Sequence, residues 1–258
     1  MNTRLTLVCR LSLVAFLGAG CSLTRVLTRN AVELRSGDSL TQDGLHVKVR
    51  ALDFKALSTD SRLSKTVTLV DPDTNVKSDV NWVLIPPPVF ELRITNNTGH
   101  IARMKGIVIK LVDSASNIYD KIDRDHLQSN LDDEFAASAR KGMAIDGAAQ
   151  SQLKAATRQI KMLDENTELL PDMTDTYYVT IDLPVEKTRE GIEAWLAQQA
   201  VLTLKVFEVP SAVDAAGNVT KRVAFEFPLA VKTYADTYEV GLLGLGSSTL
   251  VSSVLVAK

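Results

Sequence analysis

Val89-Phe90-Glu91-Leu92-Arg93-Ile94-Thr95 decides the fold class. Phe90, Leu92 and Ile94 alternate with Glu91, Arg93 and Thr95, and only an extended strand puts every second residue on one face. Asn96-Asn97-Thr98-Gly99 follows, a tight turn whose Asn and Gly residues tolerate positive φ. Residues 106–112 are then expected as the partner strand. Their apolar run, with Ile107, Val108, Ile109, Leu111 and Val112, predicts a central position or burial on both faces. Asp113-Ser114-Ala115-Ser116-Asn117 turns the chain and Ile118-Tyr119 returns it.

The same period of two recurs on both sides of this stretch. Upstream, Leu45, Val47 and Val49 alternate with His46, Lys48 and Arg50, and residues 66–70 form a second candidate strand. Pro86-Pro87-Pro88 cannot donate to a ladder and reads as an extended crossover. Downstream, residues 177–183 alternate again, residues 189–200 suit a short helix, and residues 201–209 form another strand. In that strand the alternation fails at Phe207 and Glu208, and a bulge there would restore both faces. A hairpin connection over 210–218 leads to strands at 222–228 and 229–234. Its Asp214…Asn218 turn has the same chemistry as Asp113…Asn117, so two comparable hairpins are expected.

Between residues 131 and 165 the period changes to that of a helix. Phe135, Ala139 and Met143 share one stripe, and Leu153, Ala156, Ile160 and Leu163 another. Gly142 and Gly147 divide them into two helices, and Asp132-Asp133-Glu134 suits a helix N-terminus. The fold expected is mainly β: an antiparallel β-sandwich over residues 45–236 with a helical insertion near 131–165.

Composition narrows what such a body can do. Charged residues are 23% of the chain and the net charge is −2, without the basic excess of a nucleic-acid binder. The two cysteines are Cys9 and Cys21, so the body beyond residue 21 holds neither a disulfide nor a thiolate zinc site. His46, His100 and His126 lie far apart, and His46 and His100 are expected at the surface. Asp71, Asp73 and Asn75 match the start of a calcium loop. Val76 then stands where Gly is required and Trp82 where Glu is, so the segment reads as a turn. Neither a Gly-x-Ser-x-Gly nor a His-Glu-x-x-His pattern occurs, and no cofactor or metal is expected.

The first residues form a separate unit. Arg4 and Arg10 flank Leu5, Leu7 and Val8, and an apolar core from Leu11 to Leu17 follows, too short to span a bilayer, which is the pattern of a signal peptide over residues 1–20. Gly18-Ala19-Gly20-Cys21 resembles the bacterial lipobox, with Gly18 where Leu is usual and Leu17 one residue earlier. The resemblance implies cleavage before Cys21 and acylation of that residue. Ser22 resembles the default for outer-membrane sorting, which implies a lipid-anchored protein facing the periplasm. Residues 21–44 are polar and mixed, and a lipidated tether is expected there. Residues 237–258 form an apolar, small-residue tail: a final strand pair, a packed tail, or a second membrane contact.

Residues 89–120, with Glu168-Leu169-Leu170-Pro171-Asp172 and the strands after it, are similar to strand pairs of uncharacterised bacterial lipoproteins. These carry immunoglobulin-like, fibronectin-III-like or late-embryogenesis-abundant-like sandwiches. The resemblance implies a fold and carries no catalytic motif. The leading expectation is a membrane-anchored, non-enzymatic binding or structural module with an envelope protein as partner. The alternatives are a hydrolase with a spatially assembled acidic site and a carrier of an apolar ligand between the sheets.

Overall fold

In the computed structural model, residues 23–70, 77–140, 145–186, 189–240 and 249–256 are described. The chain runs through β1 (Leu23–Leu34), β2 (Ser39–Gln42), β3 (Leu45–Leu52), α1 (Phe54–Thr59), β4 (Ser64–Val70), β5 (Lys77–Val83) and β6 (Val89–Asn96). It continues with β7 (Ala102–Arg103), β8 (Val108–Asp113), β9 (Ile118–Asp120), α2 (Arg124–Arg140), α3 (Gly147–Gln159), β10 (Glu168–Leu169) and β11 (Thr174–Thr180). The last elements are α4 (Arg189–Gln198), β12 (Val201–Val213), β13 (Val219–Val240) and β14 (Thr249–Val256).

Two antiparallel sheets form a sandwich. One has the order β1-β13-β12-β8-β9, with β14 also on β13; the other has the order β11-β6-β3-β2. The alternation around Phe90 is realised as expected: Phe90, Leu92 and Ile94 are buried and face Leu45, Val47 and Val49 on the same sheet. From the other sheet come Ile109, Leu111, Leu202, Leu204, Val206, Phe225 and Phe227. Burying these apolar faces against each other is the main force that holds the layers together.

The predicted pairing of residues 89–95 with 106–112 does not occur. β6 lies between β3 and β11, while β8 pairs with β12 and β9 in the opposite sheet. The turn at Asn96 therefore carries the chain across the sandwich. Turn residues report a change of direction, and which strand becomes a neighbour depends on packing that local spacing does not encode. Asn96 itself is fully buried at this crossing.

The two Asp-to-Asn turns match bond for bond. Asp113 Oδ1 accepts from the amides of Ala115 and Asn117, at 2.9 and 2.9 Å, and Asp214 Oδ1 from those of Ala216 and Asn218, at 2.9 and 2.8 Å. The left-handed position is Ser116 in one and Gly217 in the other, with φ of 65° and 84°. The expected bulge in β12 is also present: its register with β13 shifts between Val206 and Val209, and Glu208 takes φ 58°. Leu202, Leu204, Val206 and then Val209 stay buried because of it.

β13 is one strand of 22 residues where two were expected. Pro228 lies within it opposite Thr203. The amide of Arg35 donates to the Pro228 carbonyl at 2.9 Å, on the edge where β1 has just ended. In an antiparallel ladder a residue's N and O point to the same edge, so the missing N–H falls just past the end of β1 and not against β12.

The helical insertion starts earlier than expected. Asp123 Oδ1 accepts from the His126 amide at 2.8 Å and opens α2, so Asp132, Asp133 and Glu134 lie inside the helix and not at its start. Asp146 opens α3 by accepting from Ala149 at 2.7 Å. With α1 and the β4–β5 hairpin, the two helices bury a second core around Leu57, Leu63, Leu127, Leu131, Phe135 and Leu153. Gly142, Met143 and the Asp71–Asn75 turn lie outside the described residues.

The largest departure concerns the start of the body. Residues 21–44 are not a tether along most of their length: β1 pairs with β13 over twelve residues, and β2 pairs with β3. The reason is partly hidden in the polar composition, because Ala31 is buried and Val32 and Leu34 pack on the main core. Of the alternatives for residues 237–258, the described part is the strand pair. β13 continues to Val240, and β14 returns along it from Glu239 to Thr233.

Candidate functional site

Cys21, the one residue singled out by sequence for covalent chemistry, lies outside the described residues, as does the leader before it. β1 begins two residues later, at Leu23. Leu23 is paired with Val240, and Glu239 in turn with Thr249. Three strands, β1, β13 and β14, thus form a ribbon that starts next to the candidate lipidation site.

The ribbon is fastened to the body by a partly buried ionic cluster. Arg29 donates through Nε to Asp236 at 2.9 Å and through Nη1 to Asp53, and its guanidinium lies 4.8 Å from the Tyr234 ring centre. Asp53 also caps α1, accepting from the Ala56 amide at 2.8 Å. One arginine therefore joins the ribbon to the start of α1 and to the end of β3. Burial opposes the charge on Arg29, yet the bonds and attraction of Asp236 and Asp53 outweigh it and raise its pKa. Asp236 shows the converse balance. Burial pushes its carboxyl up, but Ser253 and Arg29 hold it below the usual carboxylate range. Next to it Glu33 accepts from Tyr234 and pairs with Lys232 at 2.6 Å. A shallow cleft of about 390 Å³ lies over this cluster, lined by Arg29, Glu33, Asp53 and Tyr234. On the other side of β1, the side-chain amide of Asn30 donates to Glu193 of α4 at 3.0 Å. In the sequence Arg29 reads as a solvated tether residue; only its place opposite Tyr234 in the register reveals its role.

A larger cleft of about 610 Å³ opens between the start of β4, the end of α3 and β11. Arg62, Lys65, Lys161 and Asp175 stand around it, with Ile160 and Tyr178 in its wall. Its cations are already occupied. Arg62 pairs with Asp60 at 2.6 Å, Lys161 pairs with Asp175, and Lys65 donates to the Ser61 carbonyl at 2.9 Å. The bond to Asp60 keeps Arg62 firmly protonated. The Tyr178 ring lies beneath Arg62, 5.8 Å away, and its buried hydroxyl has no partner among the described residues. Burial raises the pKa of that hydroxyl, so it is a neutral phenol. The result is a concave surface on which three cations stand against two carboxylates, Asp60 and Asp175.

The three histidines are not brought together. His46 on β3 bonds Thr41 at 2.8 Å, His100 in the crossing turn bonds the Thr98 carbonyl at 3.1 Å, and His126 on α2 sits 3.1 Å from Asp123. His46 and His100 are half-buried, less open than expected. Among the described residues no group of three His, Cys, Asp or Glu side chains could hold a metal ion. Nor, among them, is any helix long and apolar enough to cross a membrane. Comparison with family models, with curated proteins and with solved structures returns no match.

Proposed function

We propose that this protein is a lipid-anchored lipoprotein of the cell envelope that acts as a non-enzymatic binding or structural module. The observation that carries the reading is Leu17-Gly18-Ala19-Gly20-Cys21 placed directly before β1. A diacylated, N-acylated Cys21 supplies several chains, each contributing about 0.8 kcal/mol per buried CH₂, which is enough for stable anchoring. Ser22 favours the outer membrane, with the sandwich in the periplasm and an envelope protein as its partner. Because β1 is zippered into a sheet, only Ser22 separates Cys21 from it, and the body is held at the membrane instead of ranging from it.

The test is replacement of Cys21 by Ser in cells fed labelled palmitate. The wild-type protein is expected in the membrane fraction with label, and the variant in the soluble fraction without it. A wild-type protein that takes up no palmitate refutes the reading.

A further inference from the structure

The ribbon has two faces, fixed by its register. Asp236, Tyr234, Arg29 and Ser253 share the face turned to the body, where Ser253 donates to Asp236. The other face carries Val26, Thr237 and Ser252 in one row and Thr28, Ala235 and Val254 in the next. The third row holds Asn30, Thr233 and Val256, where α4 begins to cover the ribbon through Glu193. None of these nine side chains is charged. Val26, Val254 and Val256 are 47, 60 and 43% exposed on this face; Leu255 pairs with Tyr234 and belongs to the opposite one. Soluble surfaces rarely leave so many apolar side chains together, and β14 carries no Lys, Glu or Pro to guard its edge.

We infer that this uncharged face of the ribbon lies against the lipid surface, beside the acyl chains of Cys21. The inference rests on the lipoprotein reading. Its occupant follows from continuity, since the face begins within a few residues of Cys21 and the anchor leaves too little slack to hold it clear of the bilayer. Valine, alanine, threonine and serine are compatible with the headgroup boundary, where hydroxyls stay hydrated and methyl groups are buried. The body-facing side carries Arg29, Glu33 and Asp236. A single acyl-bearing cysteine fixes a point; a flat uncharged face beside it fixes an orientation. The apolar C-terminus, which sequence alone presents as a rival to the Cys21 anchor, becomes its neighbour through pairing with β13.

The body beyond residue 21 has no other cysteine, so one introduced thiol can be labelled alone. Val254→Cys and Val26→Cys, and as a control Val219→Cys at the far end of β13, would each carry an environment-sensitive fluorophore. The full lipidated proteins are then reconstituted in phosphatidylethanolamine–phosphatidylglycerol vesicles with brominated acyl chains. The expected result is a blue shift and loss of emission at positions 254 and 26, with no change at 219. Equal emission at 254 and 219 overturns the inference. So do disulfide-linked dimers of the Val254→Cys protein with an unquenched label at that position, which would assign the edge to a second copy of the chain. If instead the anchor reading is wrong, the protein without any introduced cysteine takes up the thiol label at Cys21. The two failures are therefore distinguished.

Discussion

Replacing Asn96 by Ala tests the crossing between the two sheets. The Asn96 side chain is completely buried. Its Nδ2 donates to the His100 carbonyl at 2.8 Å and the Leu169 carbonyl at 2.9 Å, and its Oδ1 accepts from the Thr98 amide at 3.0 Å. The Leu169 carbonyl belongs to a buried residue and would lose this donor, which costs about 1–3 kcal/mol. The His100 and Thr98 groups lie nearer the surface, where water replaces the lost partner, and each change costs about 0.5–1 kcal/mol. The sum is about 3 kcal/mol, or a fall in Tm of roughly 6–12 °C for a chain of this size. Urea unfolding followed by Trp82 and Trp195 fluorescence measures it, with an unchanged slope expected. Asn97→Ala is the control, because Asn97 is exposed and its fold contact is a backbone bond to Gly44 at 2.7 Å. It should cost less than about 0.5 kcal/mol. Equal losses at 96 and 97, or a loss at 96 below about 1 kcal/mol, would refute the claim that Asn96 stitches the crossing.

Two more expectations concern charge. Arg29→Met removes the cation from Asp236 and Asp53 and should cost about 3 kcal/mol at pH 7, measured by urea unfolding. Asp236 has a depressed pKa in the folded protein, so its contribution is present above the ordinary carboxylate value and lost as pH falls through the folded one; the variant should show a flatter acid limb. Glu134 has the opposite sign. Burial raises its carboxyl from 4.5 to about 7, so the protonated form favours folding and stability declines as pH rises through that window. Glu134→Gln should remove that decline and be more stable at pH 8 by at most about 3 kcal/mol; an unchanged slope of stability between pH 5 and 8 would exclude it.

Local spacing made the strands legible. Phe90, Leu92 and Ile94, or Leu202, Leu204 and Val206, declare their faces because a pleated strand alternates whatever it pairs with. The bulge at Glu208 was legible for the same reason, since a break in alternation is itself a local signal. The matched turns at Asp113 and Asp214 were legible because a carboxylate bonds amides only two and four residues away. α2 was misplaced by one turn and more at its start, because Asp123 caps it while Asp132, Asp133 and Glu134 imitate a helix start farther on.

The candidate sites were less legible, and the reason is distance along the chain. Cys21 stands out because the lipobox resemblance is carried by a short contiguous segment, so that pattern is wholly local. Arg29 does not, because Asp53 and Asp236 that define it are 24 and 207 residues away. Tyr178 and Arg62, which build the wall of the larger cleft, likewise meet only when β11 passes beside the start of β4.

By itself the sequence determined the period of each segment, the chemistry of the turns and the lipobox-like pattern that ends at Cys21, all of which depend on residues within reach of one another in an extended chain. Only the tertiary structure decided that β6 and β8 belong to opposite sheets and that polar residues after Leu23 form a paired strand. It alone decided that the two ends of the body run side by side in one ribbon. Those choices depend on long-range burial, summed over both sheets, for which any strand with the right alternation is a possible partner until the whole core is assembled.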